Sequence, residues 1–141
     1  MLSYRSNHLI RLKLDAQTVK DLKDRNDIEL LVKEFYKKVI DDKVIGYVFT
    51  KVVQLDFEKH IPIICDFWET TLFGQMKYKG NPMLKHIELN KKEPLKAEHF
   101  ERWMHHWETT VNSEFSGTKA KEAIQRAKLI AALMKHKIQR S

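Results

Sequence analysis

The chain has 141 residues, enough for one domain around one well-buried core. Hydrophobic residues make up 43% and charged residues 32%, the profile of a globular protein, while 4 glycines and 3 prolines are too few for the many turns of a sandwich or barrel. A net charge of +7 makes nucleic acid a candidate partner, but the lysines are scattered rather than gathered into one stripe with interleaved aromatics, so a solvated basic surface is expected and no nucleic-acid site.

No apolar run approaches the roughly 20 residues that span a bilayer. The opening MLSYRSNHLIRLKL is broken by His8, Arg11 and Lys13 before it reaches signal-peptide length. A cytoplasmic protein without a membrane partner is expected. The single Cys65 excludes an internal disulfide framework and a CxxC metal pair.

Residues 1–23 read as a basic arm, with Asp15 placed to cap a short helix over Ala16–Lys23 and Asp27 to cap the next one. Residues 24–141 read as the domain proper. Its first stripe is Ile28, Leu31, Val32, Phe35, Tyr36, Val39 and Ile40, at the spacing of an amphipathic helix, with Gly46 ending the element and Tyr47–Thr50 forming a corner. A second stripe runs His60, Ile63, Ile64, Phe67, Trp68, Thr71 and Leu72 behind the candidate cap Asp56, with Pro62 expected in the first turn and Gly74 as the stop. Asn81-Pro82 predicts cap and first residue of a short helix through Leu89. Two long helices follow. One carries Phe100, Trp103, Met104, Trp107 and Val111; the other runs from Ala120 to Ile138. The fold class is therefore all-α.

Several catalytic signatures are missing: no GxGxxG, no GxxxxGK[ST], no HExxH, no GxSxG, and no Glu with a His three residues on, as a di-iron bundle requires. The seven histidines differ in setting. His8 and His136 lie near the termini, and His99, His105 and His106 fall off the apolar stripe of their helix and read as surface residues, with a weak surface metal site from His99 and His106 as the alternative. His60 heads an apolar stripe, and His86 sits between Leu84 and Ile87 on the short helix. A haem needs one neutral imidazole on iron, an apolar slot and a distal pocket with chosen donors. Ile64, Phe67, Phe49, Leu89, Trp103 and Met134 are candidates for the slot, and Tyr36, His60 and Trp103 are candidate donors. From periodicity alone, an aromatic core with no cofactor is the simpler reading of the same residues.

The ordered set of motifs tips this balance. DRNDIELLVKEFYKKV (24–39), Val48-Phe49, HIPIICDFW (60–68), YKGNPMLKH (78–86), HFERW (99–103) and the TVNSEFSG turn (110–117) resemble the group III truncated haemoglobins from about Asp24 to the C-terminus. No glycine pair of the kind found in groups I and II is present. The resemblance implies a truncated-globin helical sandwich around a b-type haem (iron protoporphyrin IX). It implies His86 as proximal iron ligand, Tyr36, His60 and Trp103 as distal groups, Phe49 against the haem face and Trp68 lining the pocket. The implied ligands are O2, NO and CO. Ligand carriage, NO dioxygenation and peroxidase-like turnover all use such a pocket, and the last two need a separate reductase, because no flavin or nicotinamide domain is present. The rival from another class is a cofactor-free basic helical interaction module. His105, His106 and Trp107 depart from the aliphatic or phenylalanine-like stretch usual in the family, and residues 1–23 have no counterpart in its minimal members.

Overall fold

The computed structural model describes residues 19–140, apart from the side chains of Met83 and Leu84. Its elements in chain order are α1 (Arg25–Asp41), a five-residue π-helical turn (Val48–Val52), α2 (Phe57–Phe73), α3 (Pro82–Lys92), α4 (Ala97–Glu114) and α5 (Thr118–Arg140). All are helical, as the stripes predict. The expected helix over Ala16–Lys23 lies outside the described residues as far as residue 18, and residues 19–23 are irregular. Those last residues are nonetheless held to the domain. Leu22 is buried, and the Asp21 carboxylate accepts from the backbone N–H of Lys119 (2.8 Å) and Ala120 (2.7 Å), capping α5 from a distant part of the chain.

Local chemistry shifts several predicted boundaries. The cap of α1 is Asp24, whose carboxylate accepts from Asp27 N–H at 3.1 Å, while Asp27 turns back to the N–H of Lys23 at 3.0 Å. This reciprocal pair places the start three residues before the predicted cap Asp27. The stop also comes earlier than Gly46, at Asp41. Gly46 instead permits a close approach, because a Cβ there would lie 2.4 Å from the carbonyl oxygen of Ile40. The expected corner at Tyr47–Thr50 is wound largely into the π-helical turn, closed by Val53 N–H on the Val48 carbonyl at 2.9 Å. Pro62 lies in the second turn of α2 rather than the first, because the helix begins at Phe57. Its ring is solvent-exposed, and its own carbonyl accepts from Arg25 Nη2 at 3.2 Å. Gly74 ends α2 with a left-handed φ of 69°, as predicted. The short helix runs on past Leu89 to Lys92, with Lys91 and Lys92 favourably placed at its C-terminal end.

Two helical pairs, α1 with α2 and α4 with α5, cross-link through contacts of α1 with α4. An aromatic stack forms the seam. Trp107 is fully buried, stacked on Trp68 with centroids 4.4 Å apart, edge-on to Phe35 at 5.1 Å and parallel to Trp103 at 6.3 Å. Its indole N–H donates to the Ala123 carbonyl at 3.1 Å, satisfying the one polar atom of the ring. The unusual Trp107 is thus the centre of the core.

A part-buried ion cluster fastens α1 to α4. One oxygen of Asp42, the residue that ends α1, accepts from Arg102 Nε at 2.7 Å and from His106 Nε2 at 2.6 Å, and the other accepts from Val44 N–H at 2.8 Å. Burial alone would raise the pKa of this carboxyl, but the bonds from His106, Val44 and Arg102 outweigh it and hold the pKa down to about 2. A carboxylate depressed in the folded state stabilises fully above its ordinary value of 3.8 and loses that contribution as pH falls towards about 2. Asp42→Asn should therefore cost about 2 kcal/mol at pH 7. The gap between variant and parent should close between about pH 4 and pH 2, as measured by urea denaturation across that range. A gap independent of pH there would mean the cluster acts through packing alone.

Candidate functional site

His60 and His86 sit on helices that face each other without packing. α3 rests on α5 and makes at most marginal contact with α2, so the space between the two histidine-bearing helices is not closed by helix–helix contact. The apolar residues on this side are correspondingly half-buried: Phe49, Ile64, Phe67 and Trp103 touch the core on one side and remain partly exposed on the other. Leu89 is also half-buried, and Met134 is buried on α5. Trp68 is set deeper, 2% exposed and stacked on Trp107, so it stands behind this wall rather than on its open face.

His86 is oriented by its own helix. Its Nδ1 lies 2.6 Å from the Pro82 carbonyl oxygen, one turn earlier, and a carbonyl can only accept. Nδ1 therefore carries the proton, and the lone pair is on Nε2. Burial lowers the imidazole's basicity, against the opposing pull of that hydrogen bond, so the ring is neutral at pH 7. A neutral imidazole whose other nitrogen is held by a backbone carbonyl is the usual form of a metal-ligating histidine.

His60 is also pushed down, by burial first, then by the positive charge of Lys85, and by repulsion from His86 wherever that ring is itself protonated. Its ring lies edge-on to Tyr36 at 6.0 Å. Tyr36 is 5% exposed and surrounded by ring edges, with Phe35 at 5.1 Å, Phe57 at 5.6 Å and Phe49 at 5.8 Å. Burial keeps its hydroxyl protonated well above the ordinary phenol range, so it is a hydrogen-bond donor at neutral pH. Trp103 approaches the same cluster through Phe35, at 5.8 Å.

These features suit a haem: one free imidazole nitrogen, an unfilled apolar wall and neutral donors opposite. Three contributors were not named from the sequence. The Pro82 carbonyl sets the His86 tautomer, readable afterwards as the i−4 acceptor on the same helix. Phe57 closes the ring around Tyr36, and Lys85 lies close enough to His60 to affect its charge. The loop leading into α3 is pinned to α2: Thr70 Oγ1 accepts from Tyr78 N–H at 3.1 Å, Tyr78 packs on Phe67 at 5.3 Å, and Lys77 pairs with buried Glu69 at 2.8 Å.

Two histidines expected on the surface are not there. His99 is 5% exposed, its Nδ1 accepting from Lys96 N–H at 3.0 Å as part of the cap of α4, and its Nε2 lying 3.3 Å from the Tyr47 hydroxyl. That hydroxyl donates on to Glu93 at 3.2 Å. His106 is committed to Asp42. The pairing of His99 with His106 as a metal site therefore fails, since both ring nitrogens of His99 and Nε2 of His106 already have partners, and among the described residues no cluster of three metal-ligating side chains occurs. His105 is exposed, as predicted.

Comparison with known proteins agrees with this arrangement. The model of the family described as bacterial-like globin matches residues 22–139. The group 3 truncated hemoglobin ctb of Campylobacter jejuni is 30% identical over 112 residues, which cover 77% of this chain and 86% of that protein. The crystal structure of a group III truncated hemoglobin from Campylobacter jejuni superposes with a TM-score of 0.76 at 27% identity, covering 86% of this chain and 95% of that one. The chain belongs to the bacterial-like globin family, as one of its group III truncated haemoglobins.

Proposed function

We propose that this globin holds a b-type haem between α2 and α3, with His86 on the iron, and binds small diatomic ligands such as O2, NO or CO on the side of Tyr36, His60 and Trp103. The observation that carries the reading is the pair of neutral histidines on two helices that face each other without packing, beside a half-exposed apolar wall. When bound, haem supplies a redox-active iron with a position open to a small ligand. The protein's own contributions follow from its residues. His86 offers Nε2 in a fixed tautomer, because Pro82 holds Nδ1. Phe49, Ile64 and Phe67 cover the apolar faces and exclude water. Tyr36, kept protonated by burial, presents an O–H to any ligand atom that gathers negative charge, and His60, kept neutral, offers one N–H beside it.

Haem titration of the purified full chain tests the reading. A Soret band saturating at one haem per chain is expected, with a higher melting temperature, because a ligand that binds only the folded state stabilises it. No Soret shift and no change in melting would overturn the reading and leave the cofactor-free helical module. The two outcomes differ in kind, since an interaction module has no reason to bind a planar iron macrocycle at one to one.

A further inference from the structure

The net positive charge looks scattered along the sequence, but in the fold it concentrates on one helix. α5 carries seven lysines and arginines against the single Glu122, a net +6 of the chain's +7. α1, by comparison, balances Arg25, Lys33, Lys37 and Lys38 with Asp27, Glu29, Glu34 and Asp41. α5 also leaves two large apolar side chains in water: Leu129 is 53% and Leu133 48% exposed. They lie four residues apart, hence on one line of the helix, and that line runs down the middle of the outward face. At 3.6 residues per turn Lys121, Lys128 and Lys135, each seven apart, fall along one flank, and Arg126 and Lys137 fall along the other. The inward face is already occupied, with Ala120, Ala123, Ala127, Met134 and Ile138 buried. Of the cations, Lys119 is tied to the Leu72 carbonyl and to Glu122, Arg126 lies beside Glu122 and Lys128 pairs with Glu108 of α4 at 3.7 Å, whereas Lys121, Lys135, Lys137 and Arg140 form no ion pair among the described residues.

We propose that the outward face of α5 docks on an anionic lipid surface, with Leu129 and Leu133 entering the headgroup boundary and the two rows of cations meeting lipid phosphates. This is independent of whether haem is bound. An apolar line flanked on both sides by long cationic side chains is the geometry of a helix lying in a bilayer interface, because lysine and arginine stems reach back to the phosphates while the leucines enter. The rows run along most of the helix, so the partner must present negative charge over a long, flat area. A second copy meeting this face with its own would oppose +6 to +6. An acidic protein is disfavoured by the composition of the face, for α5 contains no Phe, Tyr or Trp, the residues that anchor specific protein interfaces. The sequence led to an expectation of no membrane partner because no segment can span a bilayer, and no helix among the described residues is long and apolar enough to cross one. Lying on a surface does not require such a span.

Vesicle co-sedimentation of the full chain tests this, with equal parts of phosphatidylcholine and phosphatidylglycerol against phosphatidylcholine alone at about 0.1 M salt. Binding to the mixed vesicles only is expected, released by roughly 1 M salt as the charges are screened. Each cation removed from a lipid-facing site should weaken binding about fivefold. Lys121→Gln with Lys135→Gln and Lys137→Gln should then lower vesicle affinity at least about tenfold, and the control set Lys51→Gln, Lys79→Gln and Lys91→Gln should lower it by no more than about twofold. Leu129→Ser with Leu133→Ser, both exposed and so harmless to folding, should also weaken it while leaving the melting temperature unchanged. No binding to the mixed vesicles overturns the proposal. So do equal losses from the two lysine sets, binding indifferent to the leucines, or lipid-free dimerisation that Leu129→Ser abolishes.

Discussion

Replacing His86 by alanine should abolish stable haem binding, the largest effect expected of any single substitution in this chain. Its imidazole is neutral, its Nδ1 is committed to the Pro82 carbonyl, and the lone pair therefore stays on Nε2. No nearby residue can replace it in that position. His60, the other histidine of the site, is on the opposite helix. His99 and His106 are engaged with Tyr47 and Lys96 and with Asp42, respectively. The His86→Ala protein should remain folded, because the side chain is only part-buried and lies on a helix that packs through other residues. Added imidazole should then restore the Soret spectrum by occupying the vacated position, which separates a lost ligand from a lost fold. His105→Ala, on the exposed side of α4, should keep the parent spectrum. His106→Ala should lower stability through Asp42 and still retain haem. A normal spectrum in His86→Ala, or no imidazole rescue in a folded variant, would overturn the assignment.

The contrast among these histidines explains what the sequence could and could not reveal. The periodic stripes were legible because burial of a helix face repeats locally, so Ile28 to Val39 and the α5 alanines could be placed from spacing alone. Tyr36 was legible for the same reason, a polar residue on an apolar face, whereas His86 was singled out by the family resemblance. The engagement of His99 and His106 was not, since their partners Tyr47 and Asp42 lie 52 and 64 positions away. Periodicity carries no information about such contacts. Helix starts failed similarly. Asp24 and Asp27 are both good cap residues, and only their reciprocal bonds to Asp27 N–H and Lys23 N–H settle which is outside the helix. The concentration of charge on α5 was hidden by counting along the chain instead of by element. The Lys20–Leu22 stretch, expected at the end of a short helix, is irregular instead, and Asp21 supplies the cap of the last helix across a separation that local spacing does not report.

Tyr36→Phe should raise the O2 dissociation rate about tenfold while changing that of CO much less. A ligand that gathers negative charge gains from a neutral O–H donor, such a bond contributes about 1–1.5 kcal/mol, and about 1.4 kcal/mol corresponds to a factor of ten. CO is the poorer acceptor, so it should lose little. The hydroxyl is suited to this part because burial keeps it protonated and because its surroundings are ring edges, Phe35, Phe49 and Phe57, which compete weakly for it. Trp103→Phe should act in the same direction, since Trp103 and Tyr36 pack on the same Phe35 ring. His60→Leu should have the weaker effect if its ring turns towards Lys85 and solvent, and an effect comparable to Tyr36→Phe if it stays against Tyr36 at the observed 6.0 Å. Combined substitutions should fall short of the sum of single effects, because groups sharing one ligand share one network. Phenylalanine preserves the packing of the Tyr36 ring, so the melting temperature should hold, and flash photolysis with stopped-flow mixing on the ferrous protein reads the rates directly. Unchanged O2 dissociation in both Tyr36→Phe and Trp103→Phe would show that these donors do not reach the ligand. In that case His86 would still hold the iron, and the pocket opposite it would work through size and dryness alone.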